Sequence, residues 1–481
     1  MSLPFFYVLF LVGQTRSASC NIYIDFKINI VIYSLVMMKK AEISHKTPKE
    51  IVKEMNNYII GQDEAKKLVA IAFVNRGRRM MVEDEKLRSE ITPKNVLLSG
   101  PTGVGKTEIA RRVADITDSP FIKVEMTKFT EVGYAGKDVE TIIRDLVEIT
   151  IKRERNNLAK KYEDTAKANA LKTVGDALRK AGFVNLNEEK LANGEYDNQE
   201  IEIALPENPN KSQPNDPFFD GATPMGGATA MISIIPLFDY SGPEKKNKKE
   251  LKKAKVREAL ETLVEAEVAK HVDKGLIIAD ILRKIEQKGV VFLDEIDKLI
   301  SHKDAQSRGE VSREGVQRDL LPIIEGTMVQ TKHGTVKTDH ILFIAAGAFH
   351  DNKVSDLMPE LQGRFPVQVE LKSLTVDDFE HILTDLKYNL LEQQKTLLKV
   401  DGINVVFEPN GVRAIAELAH RMNSELENTG ARRLFSVIEK VTEDVSYNGK
   451  SGSEVVIDKK YVEKATEDIF DKKVNVRKYL I

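Results

Sequence analysis

Short apolar runs alternate with amphipathic stretches along two separate parts of the chain. The runs at 95–100, 290–295 and 341–346 (NVLLSG, VVFLDE and ILFIAA) are continuously apolar before their ends, as expected of strands buried on both faces of a sheet. FIKVEM at 121–126 adds another strand, and FPVQVEL at 365–371 alternates like a strand nearer an edge. Because helical patterns separate these strands, the sequence predicts a parallel α/β sheet flanked by helices.

Helical periodicity precedes and links these strands. It covers residues 45–94, where Thr47 is the predicted N-cap and Pro48 the first helical residue. Further helices are predicted to begin at Thr107 and at about Lys137. Helices on both sides of each strand fit the parallel arrangement.

A long polar segment, residues 153–278, interrupts the α/β pattern. It opens with a charged helical pattern, contains seven of the sixteen prolines between Pro206 and Pro243, and closes with a charged stretch predicted as a helix. Seven lysines lie between Lys245 and Lys255. They could bind nucleic acid, but interleaved glutamates favour a solvated helix face. We therefore expect an inserted, mostly helical domain.

The sequence pattern after residue 372 predicts a separate, mostly helical C-terminal domain. Amphipathic patterns cover 375–398, 410–421 and 430–444, and a short SEVVI strand precedes a last helix from Lys459. The expected organisation is an N-terminal extension, a large domain in two parts around the insertion, and a small domain, with boundaries at 1–38, 39–152, 153–278, 279–371 and 372–481.

The first 38 residues are apolar and patternless. The runs at 5–13 and 28–38 are shorter than a membrane span, and no basic segment precedes the first, as a signal peptide would require. We favour an upstream extension of the reading frame, with translation starting at Met37 or Met38. A genuine presequence is the alternative.

Composition excludes several classes of protein. The 481 residues are 42% hydrophobic and 30% charged, with a formal net charge of −2, so no global positive field favours nucleic acid. The single cysteine, Cys20, excludes a disulfide framework, a cysteine-based zinc site and a Cys-His catalytic pair. The sequence has no Ser/His/Asp or H-E-x-x-H pattern, so nothing in it indicates peptide-bond chemistry.

The segment GPTGVGKT at 100–107 matches the P-loop pattern and lies between a predicted strand and a predicted helix. Gly103 and Gly105 allow backbone N–H groups to turn towards phosphates, to which the helix N-terminus adds its positive end. Lys106 would reach the β and γ phosphates, and the Thr107 hydroxyl would bind Mg²⁺. The sequence therefore predicts a nucleotide triphosphate site.

A second strand supplies the carboxylates that such a site needs. Asp294, at the end of VVFLDE, would hold Mg²⁺ through water, and Glu295 would polarise an attacking water. Two arginines, Arg364 in PELQGRF and Arg432 in TGARRLF, are candidates for the cation that stabilises the γ phosphate. Taken alone, each arginine is equally consistent with this role and with that of a surface or helix-cap residue.

GPTGVGKT, VVFLDEIDK, PELQGRF and TGARRL, in this order before a helical domain, resemble the AAA+ ATPases of the Clp/Hsp100 group. The segments at 47–67, 130–140, 311–326 and 331–349 are similar to the HslU (ClpY) family, the ATPase partners of the HslV peptidase. The resemblance covers essentially all of 45–481. It implies an AAA+ P-loop sheet with an inserted domain and a small helical domain.

The resemblance also implies roles for individual residues. Ile60 would line the adenine pocket, Arg432 would sense the nucleotide, and Glu360 and Arg364 would reach the nucleotide of a neighbouring subunit. The phosphates would be wrapped by Gly103, Val104, Gly105, Lys106, Thr107 and Glu108. A pore loop of Gly133, Tyr134, Ala135 and Gly136 would grip polypeptide, and a tail ending in Tyr479, Leu480 and Ile481 would dock on the peptidase.

The implied function is that of a homohexamer that uses Mg²⁺ and ATP to unfold protein substrates and translocate them into an HslV-type peptidase. Its substrates would be unfolded or tagged proteins. We expect no nucleic-acid or membrane partner and a bacterial-type cytoplasmic location, or a mitochondrial one if the extension is a presequence. A stand-alone remodelling chaperone and a nucleic-acid motor are the alternatives. Ala135 and Ala346 depart from the family pattern, since these positions usually hold Val and a polar residue.

Overall fold

The computed structural model describes residues 46–130, 137–183, 190–191, 193–203, 252–275, 278–300 and 313–467. The chain divides into two compact units, of which one comprises the chain up to Leu146 and from Arg283 onward, and the other Val147–Leu282. Within the described ranges, no helix is both long and apolar enough to cross a membrane.

The strands follow one another along the chain as β1 (Val96–Ser99), β2 (Phe121–Glu125), β3 (Glu200–Ile203), β4 (Lys252–Lys255), β5 (Val290–Asp294), β6 (Met328–Thr331), β7 (Gly334–Lys337), β8 (Leu342–Gly347), β9 (Val367–Glu370), β10 (Asn404–Phe407) and β11 (Glu454–Ile457).

The α-helices of at least five residues are α1 (Pro48–Met55), α2 (Asp63–Met80), α3 (Glu85–Glu90), α4 (Lys106–Ile116), α5 (Thr141–Lys180), α6 (Val256–Gly275), α7 (Ile278–Lys288), α8 (Arg313–Glu325), α9 (Pro359–Gly363), α10 (Val376–Thr384), α11 (Leu390–Val400), α12 (Pro409–Glu425), α13 (Arg432–Asn448) and α14 (Lys459–Ala465).

Five strands form the central sheet in the order β2-β5-β8-β1-β9, and every neighbouring pair is parallel. The predicted α/β class is confirmed, and β9 lies at the edge that its alternation indicated. Parallel strands end at the same edge of a sheet. The loop after β1 and the end of β5 therefore share one edge, with β8 between the two strands.

The helical patterns of the large domain also appear, with different limits. Thr47 caps α1 through a capping box with Glu50, as the Thr-Pro pair predicted. The helix expected from about Lys137 begins at Thr141 and continues to Lys180, so one helix runs through the expected boundary at 152 and 153. The hairpin β6–β7 was not predicted.

The second unit corrects the interpretation of the lysine-rich segment. Lys252–Lys255 is a strand, β4, antiparallel to β3, and α6 begins only after it; the predicted helix is wrong there. Opposite charges pair across this ribbon, since Lys253 Nζ lies 3.5 Å from a carboxylate oxygen of Glu202. Such cross-strand pairs stabilise a sheet whose side chains are largely polar. The lysines before residue 252 lie outside the described ranges.

The C-terminal region is helical, with two differences from expectation. The single helix predicted over 375–398 is broken into α10 and α11, between which Tyr388 has a φ of 57° and Asn389 caps α11. The predicted SEVVI strand is present as β11, but its parallel partner β10 was not predicted. One apolar core continues from α1, α2 and the sheet into α12 and α13, so this region packs against the large domain.

Candidate functional site

The loop between β1 and α4 has the backbone geometry of a phosphate cradle. Gly103 and Gly105 have φ values of 74° and 100°, a region that residues with a Cβ rarely adopt. Gly105 is the N-cap of α4, whose first N–H groups have no partner within the helix. The positive end of the helix therefore lies where the sequence placed the phosphates.

A cavity of about 920 Å³ opens at this edge of the sheet. Its size is typical of a site for a small organic ligand. The predicted residues that line it are Ile60, Gly103, Val104, Gly105, Lys106, Thr107, Glu108, Asp294, Glu295 and Arg432. The structure thus brings together residues from four separate segments of the sequence.

Lys106 lies at the centre of the cradle. Its Nζ donates hydrogen bonds to the carbonyl oxygens of Gly100 and Pro101. Burial lowers the pKa of Lys106 to about 8, Asp294 and Asp297 oppose this shift, and Arg432 adds to it. Two cations therefore share a partly buried space, an arrangement that an anion such as a phosphate would stabilise.

The Asp294 carboxylate is held from two sides. Its Oδ1 accepts a hydrogen bond from the Glu295 N–H at 3.1 Å, and its Oδ2 lies 2.8 Å from Lys123 Nζ on β2. Glu295 has a φ of 58°, which is unfavourable for a residue with a Cβ. Strained residues of this kind cluster at functional sites, and here the turn leaves the Glu295 side chain exposed at the cavity.

The donors in the cavity fit a magnesium ion bound together with phosphates. The Thr107 hydroxyl and the Asp294 carboxylate both belong to cavity-lining residues and offer the oxygen ligands that Mg²⁺ prefers. Mg²⁺ is usually held by one or two such groups, with phosphates and water completing its shell. These two residues would hold the ion.

Apolar and aromatic side chains form another part of the cavity lining. Arg112 lies with its guanidinium 3.9 Å from the centre of the Tyr58 ring, which fixes one wall. The apolar and aromatic residues that line the cavity together with Ile60 are Tyr58, Ile59, Leu374, Ile382, Leu386, Tyr388, Leu390 and Phe435. A flat heteroaromatic base would pack against these side chains. Leu386 and Tyr388 lie in the break within 375–398, where a single helix was predicted, so the sequence pattern did not predict this part of the lining.

Arg364 and Glu360 lie away from this cavity. Arg364 is the C-cap of α9, and its guanidinium donates to Glu325 Oε1 from Nε at 2.9 Å and from Nη2 at 2.6 Å. Its carbonyl oxygen accepts a hydrogen bond from Asn95 Nδ2 at 3.1 Å, directly before β1. Five steps of about 3.3 Å separate Asn95 from Gly100, so the P-loop begins about 16 Å away. Glu360 is exposed in the first turn of α9.

Comparisons with known proteins agree with this geometry. Residues 96–170 match the ATPase family associated with various cellular activities (AAA), and residues 219–368 match the AAA domain (Cdc48 subfamily). The chain is 47% identical over 439 residues to the ATP-dependent protease ATPase subunit HslU of Beijerinckia indica subsp. indica, covering 88% of this chain and 97% of that relative. The chain belongs to the HslU family. It is therefore an ATPase with an AAA+ fold.

Membership of the HslU family favours a protease-associated ATPase over the two alternative functions. Some of the predicted HslU residues lie outside the described ranges. These are the pore-loop residues Gly133, Tyr134, Ala135 and Gly136 and the tail residues Tyr479, Leu480 and Ile481. Their roles remain predictions.

The structure adds a polar residue that the sequence analysis missed in this HslU-family site. Asp297 is 5% exposed, lines the cavity and accepts a hydrogen bond from the Phe349 N–H at 3.3 Å. It connects the turn after β5 to the loop after β8, while Ala346 lies within β8 and is fully buried. The second aspartate of VVFLDEIDK was the available signal, because a short polar residue close behind a catalytic pair lies at the same sheet edge.

Proposed function

We propose that the cavity binds Mg-ATP, with the phosphates in the P-loop and the adenine against the apolar and aromatic side chains of the lining. The convergence of the P-loop, Asp294, Glu295 and Arg432 on one cavity carries this proposal. Backbone N–H groups of Gly103, Val104 and Gly105 and of the first turn of α4 would surround the phosphates. Ile60 would contact the base.

Hydrolysis requires a polarised water and positive charge around the γ phosphate. Glu295 would orient and polarise the water, while Lys106 and Arg432 stabilise the charge that develops on the phosphate oxygens. The Mg²⁺ ion held by Thr107 and Asp294 would neutralise charge on the β and γ phosphates. The adjacent acidic residues thus have separate roles.

We propose that Arg364 and Glu360 act on the nucleotide of a neighbouring copy. Arg364 lies near the amino end of β1, while the cavity is at the carboxyl end, so its side chain is too far from the cavity of its own subunit. An exposed arginine offered to a second subunit is a recurring device in nucleotide hydrolysis. Closed rings satisfy such a head-to-tail contact in every copy. A homohexamer is the ring that we propose.

The relative's name describes the ATPase subunit of an ATP-dependent protease. We propose that this chain likewise unfolds protein substrates and passes them to an HslV-type peptidase in the cytoplasm. Its substrates would be unfolded or tagged proteins, and it would have no nucleic-acid or membrane partner. Tyr134 would grip the polypeptide in the pore. The tail ending in Tyr479, Leu480 and Ile481 would insert its apolar side chains into pockets on the peptidase.

The test is degradation of a stably folded, tagged protein by a mixture of this chain and an HslV-type peptidase. We expect degradation only when both proteins, Mg²⁺ and ATP are present, and none with the Lys106→Thr variant. ATP turnover without degradation would contradict the protease function. Stimulation of turnover by DNA but not by protein substrate would favour the motor alternative.

A further inference from the structure

A loop of the C-terminal region lies directly against the P-loop. This loop, residues 427–431, joins α12 to α13 and is called the clamp loop below. Its Ala431 N–H donates a hydrogen bond to the Gly103 carbonyl oxygen at 3.0 Å. The P-loop backbone is therefore held by a hydrogen bond from the small domain, in addition to any contact through the Arg432 side chain.

The two backbones approach so closely that neither side tolerates a side chain. A Cβ added to Gly103 would lie 2.1 Å from the Thr429 carbonyl oxygen, and one added to Gly430 would lie 2.5 Å from the Thr102 carbonyl oxygen. Both glycines also have positive φ values, 74° and 60°. The contact thus requires glycine in each loop.

Two side chains hold the clamp loop from behind. Asn423 on α12 accepts the Thr429 N–H at Oδ1 (3.1 Å) and donates from Nδ2 to the Gly430 carbonyl oxygen at 3.0 Å. Arg433 donates from Nη2 to the Glu427 carbonyl oxygen at 2.6 Å and from Nε to Asn423 Oδ1 at 3.4 Å. Three of these hydrogen bonds fix the loop at Glu427, Thr429 and Gly430, and the fourth joins the two side chains.

Neither Asn423 nor Arg433 lines the cavity in the described part of the chain, so they act on a ligand only through the loop. Arg433 is only 3% exposed, and burial lowers its pKa. Within the described ranges, its hydrogen bonds go to a main-chain carbonyl and an amide oxygen rather than to a carboxylate. A buried guanidinium without a directly paired anion is costly. Its position is explained by the geometry that it imposes on the loop.

We propose that Asn423 and Arg433 are positioning residues that hold the clamp loop on Gly103, so that the small domain stabilises the nucleotide-binding form of the P-loop through the backbone, independently of the Arg432 side chain. This inference rests on the proposed binding of ATP in the cavity. A shift of the small domain would therefore disturb the P-loop backbone as well as the position of the Arg432 side chain.

The test is the equilibrium Kd and the dissociation rate of a fluorescent ADP analogue, measured together with thermal unfolding. Asn423→Ala removes both hydrogen bonds to the clamp loop, and we expect Kd to rise about tenfold. Asn423→Asp keeps the acceptor and loses the donor, so its Kd should lie between those of the wild type and the alanine variant. Arg433→Lys, which cannot contact Glu427 and Asn423 in the same way, should also raise Kd.

The matched control is Val441→Ala. Val441 is fully buried in α13, far along the helix from the clamp loop, and losing two carbon atoms there leaves a small cavity. This variant should lower the unfolding temperature without raising the Kd of the ADP analogue. An equal rise in Kd in the control and in Asn423→Ala would mean that general destabilisation of the small domain explains the effect, which overturns the proposal.

A double variant separates the backbone contact from the arginine. In an Arg432→Ala background, Asn423→Ala should still raise Kd several-fold, because the Ala431–Gly103 hydrogen bond does not need the arginine side chain. If Asn423→Ala has no effect in that background, Asn423 acts only by placing Arg432 and the proposal is wrong. A wild-type protein that fails to bind the analogue contradicts the cavity assignment itself, whereas wild-type binding with unchanged variants contradicts only this inference.

Discussion

The two candidate arginines lie in different surroundings. Arg432 begins α13 at the wall of the nucleotide cavity, close enough to Lys106 to lower its pKa. Arg364 follows α9 near the opposite edge of the sheet, with its guanidinium bound to Glu325. Arg432 therefore lines the cavity of its own chain, while Arg364 lies outside that cavity, as its proposed role at a neighbour's site requires.

The surroundings of Arg364 also suit a change of partner. The side chains of Arg364 and Glu325 are 50% and 41% exposed, and ion pairs in solvent contribute only about 0–1 kcal/mol. A triphosphate presented by a neighbouring subunit would compete easily with one carboxylate. The contact that holds Arg364 is therefore weak enough to be exchanged during assembly or hydrolysis.

Replacing Arg364 should have the largest effect on turnover. We expect Arg364→Ala to lower ATP hydrolysis about 1000-fold while the affinity for ATP changes little, since the residue lies outside its own cavity. Arg364→Lys keeps the charge but loses the paired hydrogen-bond geometry, and should recover only part of the rate. Steady-state ATPase assays and ATP binding to the same preparations measure this. A large loss of affinity at unchanged turnover would contradict the trans role.

Replacing Glu295 should slow ATP hydrolysis while leaving both arginines unchanged. Glu295→Gln should lower hydrolysis about 100-fold, because the amide cannot accept a proton from the attacking water. ATP binding should persist, since Lys106, Thr107 and Asp294 remain. The measurement is a single-turnover assay with bound ATP. Turnover at the wild-type rate would show that Glu295 is not the base.

Arg432 should affect binding more than chemistry. Arg432→Ala removes one of the two cations, Lys106 and Arg432, that we propose contact the phosphates, and we expect the Kd for ATP to rise about tenfold. The surface variant Arg421→Ala, on α12, replaces an exposed arginine paired with Glu425 and serves as the control. Titration with a fluorescent ATP analogue compares the two. Equal affinities would remove Arg432 from the nucleotide site.

Replacing Tyr134 should have the smallest effect on ATP turnover. Tyr134→Ala should keep basal ATP turnover within about twofold of the wild type, because the change removes none of the residues proposed to bind the phosphates. Degradation of a folded, tagged substrate should fail, since the proposed grip on the polypeptide is lost. Comparing the ATPase rate with substrate degradation in one preparation measures both. A parallel loss of both activities would instead place Tyr134 in the structure of the fold.

Local chemistry made much of the site predictable. The P-loop, Asp294 and Glu295 follow apolar strands, and parallel strands bring their carboxyl ends to one edge. The break at Tyr388 was missed because the amphipathic pattern continues through it; Asn389, which caps the following helix, was the local signal. Strand β4 was mistaken for a helix because its partner β3 is distant in sequence.

Residues that act through tertiary contacts were also missed. Asn423 lies in an ordinary helix pattern, and only the folded chain places its amide against the clamp loop. Lys123 lies in the predicted strand β2. Its ion pair with Asp294 forms only because β2 pairs with β5 in the sheet. Sequence patterns predict the elements and the motif residues, while the polar contacts between elements require the topology.

The proposal that Arg364 completes a neighbouring subunit's site is tested most directly by mixing two inactive variants. Lys106→Thr subunits lack a working P-loop but keep Arg364, and Arg364→Ala subunits have the opposite defect. We predict that rings formed from both regain part of the wild-type ATP turnover, since an intact P-loop can then lie beside an intact arginine. No recovery at any mixing ratio, with mixed rings demonstrated by differential tagging, would contradict the account.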